Sequence, residues 1–204
     1  MNKKKGIMGG TFNPIHNGHL KMAEYAFKEG NLDEIMFLPS GHPDYKSYIR
    51  IASGEDRMEM IRLAIEDTPY FFVSDIEIQR KGNTYTYDTM SFLNKEHPDI
   101  SYYYIIGADS LFQLHTWHNA KELLKMVPFL VATRDGNSME QLTARAKELE
   151  CQYGASISLL HMPNTEVSSH EIREMVEQNK SIENLVPIKV MQYIMTKGLY
   201  GGRL

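Results

Sequence analysis

Short apolar runs alternate along this chain with longer stretches whose apolar positions recur every three or four residues. That alternation predicts strands separated by helices. Ile7-Met8 reads as a short strand ending in Gly9-Gly10. From about Gly18 to Lys28, Leu20, Ala23 and Phe27 share one helical face, with Gly30 as the stop. Ile35-Met36-Phe37-Leu38 reads as a buried strand closed by Pro39. Ser53-Gly54-Glu55-Asp56 has the form of a capping box and opens a helix carrying Met58, Ile61 and Ile65. Tyr70 to Ile78 is rich in aromatic and β-branched residues and alternates in its later part, a strand pattern. Tyr102 to Ile106 is continuously apolar or aromatic, as a central parallel strand is; Phe129–Ala132 and Ile157–Leu160 repeat that style. Met139 to Leu149 reads as a helix between them, and Pro187 to Lys197 as a last helix with proline in its first turn and Gly198 after it.

Strands separated by helices imply βαβ units, so the expected fold is α/β: a Rossmann-like, doubly wound parallel sheet with helices on both faces. Ligands in such folds sit at the carboxyl ends of the strands, near the point where strand order reverses. The loops after Met8, Leu38, Ile106 and Leu160 are therefore where chemistry is expected. With 204 residues, no repeat and no low-complexity linker, the chain reads as a single domain, 1–204.

The formal net charge is −4. A mildly acidic chain without a basic stripe is poorly suited to holding a nucleic acid polymer, though a local basic pocket for a small anion is compatible with it. Cys151 is the only cysteine, so no internal disulfide forms. The basic start Asn2-Lys3-Lys4-Lys5 lacks the apolar segment of a signal peptide, and no apolar run reaches ~18 residues. A cytoplasmic location with no membrane partner is the expectation, and homo-oligomerisation is left open.

The first loop carries the strongest signal. Gly9 and Gly10 allow close approach of the backbone to a ligand, and a helix start favours a phosphate. His16 and His19 stand three apart at that helix start, with Gly18 between them, so both can face one point. Two imidazoles there can donate hydrogen bonds to a polyphosphate, more strongly when protonated. The plain alternative is a glycine-rich turn with two surface histidines. A metal site is disfavoured because no cysteine or carboxylate cluster accompanies them. Further on, Ser168-Ser169-His170-Glu171-Ile172-Arg173 opens a helix. A serine there caps or meets a phosphate, and Arg173 offers a fork of donors; the alternative is a capping box with a solvated arginine. Gly107-Ala108-Asp109 follows the central strand, where a carboxylate accepts ribose hydroxyls or caps the next helix. Trp117, the only tryptophan, has the polar neighbours His115, Thr116, His118 and Asn119, unusual for a core position. An indole at an open site can stack on a planar ring; half-buried packing is the alternative.

Gly10-Thr11-Phe12-Asn13-Pro14-Ile15-His16-Asn17-Gly18-His19 resembles the T/H-x-G-H nucleotidyltransferase signature, most closely that of bacterial nicotinate-nucleotide adenylyltransferases. Gly82–Thr89, Ile105–Leu111, Trp117-His118, Val167–Arg173 and Leu185-Val186-Pro187 extend the resemblance over nearly the whole chain. It implies transfer of the AMP moiety of ATP to nicotinate mononucleotide, giving deamido-NAD and pyrophosphate, with Mg²⁺ entering on the ATP phosphates. It implies catalytic roles for His16, His19, Lys46 and Arg173. Gly9, Gly10, Thr11, Phe12, Gly18, Gly107, Asp109, Ser168 and Ser169 fall to ATP and its phosphates. Asn13, Tyr85, Thr86 and Trp117 fall to nicotinate mononucleotide, and the helical stretch from about 165 to 204 completes the phosphate site. Two positions depart from the family pattern. Tyr45 replaces a histidine in His42-Pro43-Asp44-Tyr45-Lys46, and His170 replaces a threonine. Tyrosine is not cationic near neutral pH, which puts a phosphate role at position 45 in doubt, with His42 a candidate replacement. The competing readings are a related transferase acting on nicotinamide mononucleotide or phosphopantetheine, and a non-catalytic nucleotide-binding protein.

Overall fold

A computed structural model describes residues 2–41, 51–133, 138–163 and 167–201. In chain order the elements are β1 (Lys3–Gly10), α1 (Asn17–Glu29), β2 (Glu34–Pro39), α2 (Gly54–Ile65), β3 (Phe71–Val73), α3 (Ile76–Gln79), α4 (Thr86–Glu96) and β4 (Ile100–Gly107). They continue with α5 (Ala108–Gln113), α6 (Ala120–Met126), β5 (Phe129–Ala132), α7 (Met139–Tyr153), β6 (Ile157–Leu160), α8 (Ser169–Glu177) and α9 (Ile188–Lys197). Short 3₁₀ turns lie at Leu114–Thr116 and Leu199–Gly201. Six strands form one sheet in the order β3-β2-β1-β4-β5-β6, the doubly wound arrangement expected from the sequence. β1 pairs parallel with β4 from Lys3↔Ile100 to Met8↔Ile105, β4 with β5, and β5 with β6. Strand order reverses between β1 and β4, whose carboxyl ends carry Gly9 and Gly107.

The chain falls into two compact units, 1–9 with 22–36 and 84–164, and 10–21 with 37–83 and 165–204. The first holds the β1-β4-β5-β6 ladder, with Ile7, Ile105, Phe129, Val131, Leu123, Leu142 and Leu149 fully out of solvent. The second is built on Phe12, Phe37, Met60, Ile61, Ile172, Val190 and Ile194, all buried, with Phe37 edge-on to Phe71 at 5.4 Å.

Three local expectations change. The stretch Tyr70–Ile78 is a strand only at Phe71–Val73; Ile76–Gln79 is one helical turn, because Ile76 and Ile78 fit a short helix as well as an alternating strand. Pro187 stands at the cap just before α9 rather than in its first turn, while Gly198 takes the left-handed cap with φ 60°. After α1 it is Asn31 that turns left-handed at φ 46°, whereas Gly30 lies where a Cβ would strike the Ala26 carbonyl.

Candidate active site

In the second unit, the loop from Gly10 to His19 is held from several sides. His16 is buried at 3 % exposure and its ring stacks on His19 at 3.7 Å. The His16 N–H donates to Nδ1 of His19 and the His19 N–H to Nδ1 of His16, each at 3.3 Å. A ring nitrogen that accepts an N–H carries no proton, so each neutral ring keeps its proton on Nε2. Gly18 is what lets the rings meet: a Cβ there would lie 3.0 Å from Nδ1 of His16. Not all amides at the α1 start are open to a ligand, since the Asn17 N–H donates to the Leu185 carbonyl and the His19 N–H also to the His16 carbonyl.

Phe12 has φ 49°, a left-handed backbone that packing must hold, and its ring is 2 % exposed. That ring meets His19 edge-on at 5.0 Å. Asn13 is buried; its side-chain oxygen accepts from the Ala52 N–H at 3.0 Å and the Tyr200 hydroxyl at 2.7 Å. Arg173 Nη1 donates to the Asn13 carbonyl at 2.8 Å and the Ser169 carbonyl at 3.0 Å. The Ser169 hydroxyl donates to the Pro14 carbonyl, and the Ser168 hydroxyl caps α8 by accepting from the Glu171 N–H. His170 is exposed beside Glu174. Thr11, Phe12, Asn13, His19, Ile51, Ser169 and Arg173 line one cavity of ≈ 180 Å³. Lys46, Tyr45 and His42 lie outside the described residues.

In the first unit, the candidates Thr86 and Trp117 meet on a buried phenol. Tyr104, 5 % exposed, stands with its hydroxyl 3.4 Å from the Thr86 hydroxyl and its ring edge-on to Trp117 at 6.0 Å. Tyr85, at the cap of α4, stacks on His118 at 4.3 Å. His115 takes an Arg145 hydrogen at 2.7 Å, so its Nδ1 is committed to that guanidinium. Asp109 is exposed in the first turn of α5, with Gly107 at the cap position; the N-cap alternative for Asp109 fails by two residues.

Sequence reasoning missed Arg57 and Tyr200. Arg57 is 2 % exposed and, among the described residues, its hydrogen bonds go to backbone carbonyls: Nη1 to Thr11 and Ser40, Nη2 to Gly41, Nε to Ala52. Its signal was available, since position 57 stands in phase with Ile61 and Ile65 on the apolar stripe of α2. Burial lowers the Arg57 and Arg173 guanidinium pKa values and pushes the Tyr200 phenol well above the usual tyrosine range, against the pull of those two cations. The folded chain therefore holds the Tyr200 proton to higher pH than the unfolded chain. That stabilisation is fully present below about pH 10 and is lost as pH rises through the raised folded value. Tyr193, pushed up to about 12 by burial and Asp56, adds in the same sense. The expected result is that Tyr200→Phe has a lower Tm than the wild type at neutral pH but a shallower fall between about pH 9 and 11. Parallel thermal-melt slopes would refute it.

A family model described as cytidylyltransferase-like matches residues 7–175. A protein of Lachnoclostridium phytofermentans is 46% identical over 198 residues, covering 97% of this chain and 99% of its own. One of Caldicellulosiruptor saccharolyticus is 42% identical over 197 residues, covering 97% and 98%. Each is named a probable nicotinate-nucleotide adenylyltransferase. This chain belongs to that family. Its fold is shared with the Plasmodium falciparum nicotinic acid mononucleotide adenylyltransferase complexed with NaAD, with TM-score 0.81 and 20% identity over 97% of both chains. The Gly10–His19 segment, which carries the resemblance to that family, holds the stacked histidine pair. Among the described residues no helix is long and apolar enough to cross a membrane.

Proposed function

We propose that the chain transfers the adenylyl group of ATP to nicotinate mononucleotide. The acceptor phosphate attacks the α-phosphorus of ATP, one P–O bond forms, the bond to the β-phosphate breaks, and deamido-NAD and pyrophosphate leave. The observation that carries this reading is the His16–His19 stack, with Nε2 the proton-bearing nitrogen of each neutral ring, His19 itself lining the cavity that Ser169 and Arg173 also line. Two polyanions repel, so catalysis here is alignment plus stabilisation of charge at the phosphorus and the leaving group.

In this reading His16, His19, Lys46 and Arg173 surround the phosphates. Gly10, Thr11, Gly18 and Ser169 shape their cradle, Gly9 contributes through its backbone alone because Tyr104 fills its side-chain space, and Phe12 contributes mainly backbone, its ring being spent on packing. Ser168 acts by capping α8. Gly107 and Asp109 take the nucleoside. Thr86, Tyr85 and Trp117 take nicotinate mononucleotide, and Asn13, whose side-chain oxygen is committed to protein donors, acts on the loop. Residues 1–204 work as one nucleotidyltransferase domain in the cytoplasm, with the stretch from 165 onward completing the phosphate site. Among the described residues no group of three His, Cys, Asp or Glu side chains is placed to hold a metal ion. Mg²⁺ in this reading rides on the ATP phosphates with no protein ligand assigned, and neutralises charge there.

Pyrophosphate release with ATP and Mg²⁺ tests the assignment when nicotinate mononucleotide, nicotinamide mononucleotide and phosphopantetheine are compared as acceptors. Turnover with phosphopantetheine equal to or better than that with nicotinate mononucleotide rejects it. Trp117→Ala is expected mainly to raise KM for nicotinate mononucleotide, by roughly tenfold, the scale of a lost aromatic stack. A change confined to the KM for ATP would count against stacking.

A further inference from the structure

Arg57 is a cation placed where a cation is expensive. Its side chain is almost wholly buried, and among the described residues its hydrogen bonds go to backbone carbonyls, of Thr11, Ser40, Gly41 and Ala52. Burying a guanidinium costs far more than burying an amide, and tying chain segments together can be done by a neutral side chain. A charge kept at such cost has an electrostatic use, and the location supplies one. Thr11, whose carbonyl takes Nη1 at 3.0 Å, also lines the cavity that His19, Ser169 and Arg173 line. Ala52, held through its carbonyl by Nε, gives its N–H to Asn13, another residue of that cavity wall. One rigid planar fork therefore fixes the wall at two points and leaves a positive charge behind it. Lysine could not do the same: its hydrogens leave from a single point, whereas these carbonyls are reached from three nitrogens.

We propose that Arg57 is a positioning residue for the triphosphate, setting the Thr11–Asn13 wall through Thr11 and Ala52 and adding a fixed positive potential behind it. It does not touch the substrate. The proposal rests on the adenylyltransferase reading only for which nucleotide binds; the site it describes is one for a triphosphate.

The test compares wild type with Arg57→Lys and Arg57→Gln, using calorimetric binding of ATP and of inorganic tripolyphosphate, steady-state kinetics and Tm. Arg57→Lys is expected to weaken ATP and tripolyphosphate alike by about tenfold or more, with KM for nicotinate mononucleotide changed less than twofold and the loss greater in Arg57→Gln. A purely structural arginine would lower Tm and leave the affinities of the folded fraction unchanged, and that result overturns the proposal. So does an equal effect on both substrates. Should both variants fail to fold, the wild-type chain still decides: the ¹⁵Nε–¹H resonance of Arg57 shifts on saturation with tripolyphosphate, or the proposal falls. A wild type that binds tripolyphosphate but does not join ATP to nicotinate mononucleotide sinks the functional reading and leaves Arg57's role standing.

Discussion

Replacing His19 by alanine lowers kcat by ~10²-fold or more in pyrophosphate release, the scale on which one preorganised transition-state donor acts. The reason lies in how the ring is held. The His16 N–H occupies Nδ1 of His19, which leaves Nε2–H as the donor of the neutral ring. His16 stacks on one side of it and Phe12 meets it edge-on. Such a donor is oriented before the substrate arrives, so little reorganisation is needed as charge moves onto the leaving phosphates. The variant loses two ring contacts at the half-buried position, so its fold is checked by thermal melt before kinetics are compared. Binding of ATP weakens less than turnover, because a donor aimed at developing charge acts more on the transition state than on the ground state. An unchanged kcat in a folded variant, or a loss confined to KM, would remove His19 from the chemistry.

Much of this arrangement was legible in the chain. Strand β4 announces itself because five consecutive apolar or aromatic residues have no helical period, and α1 because Leu20, Ala23 and Phe27 do. The spacing of His16 and His19 was enough to place both rings together, since residues three apart at a helix start share a face. What the chain concealed were contacts to backbone and contacts across long separations. The side-chain oxygen of Asn13 is taken by Tyr200, 187 positions away, and by the Ala52 N–H. No local pattern encodes that pairing. Arg57 was passed over because its partners are carbonyls, which every residue has, so only its phase on the apolar stripe of α2 marked it. The strand expected over Tyr70–Ile78 stopped at Val73 because a stretch as short as Ile76–Gln79 satisfies both periods, and tertiary packing decides between them.

Gly9 shows the difference between a glycine that admits a ligand and one that admits a neighbour. At the end of β1, the space a Cβ would occupy is filled by the Tyr104 hydroxyl, well inside contact distance, with the ring Cζ at 3.0 Å behind it. Tyr104 cannot easily withdraw, being buried in β4 with its hydroxyl beside Thr86 and its ring against Trp117 and Phe129. Gly9→Ala is therefore expected to destabilise the fold by about 1–3 kcal/mol, the usual cost of overpacking a core. In a chain of this size that lowers Tm by roughly 2–4 °C per kcal/mol. Because the ring must move to make room, the Trp117 and Thr86 neighbourhood moves with it, and KM for nicotinate mononucleotide rises. The decisive measurement is the double variant. Tyr104→Phe removes the clashing oxygen, so Gly9→Ala should cost about 1 kcal/mol less in that background than in the wild type, as contacting sites couple and distant ones do not. Relief stops short of complete, because the ring carbon remains at tight contact. Additive losses in a thermal-melt cycle would mean that Gly9 is required for something other than the approach of Tyr104, such as a backbone contact with the nucleotide itself.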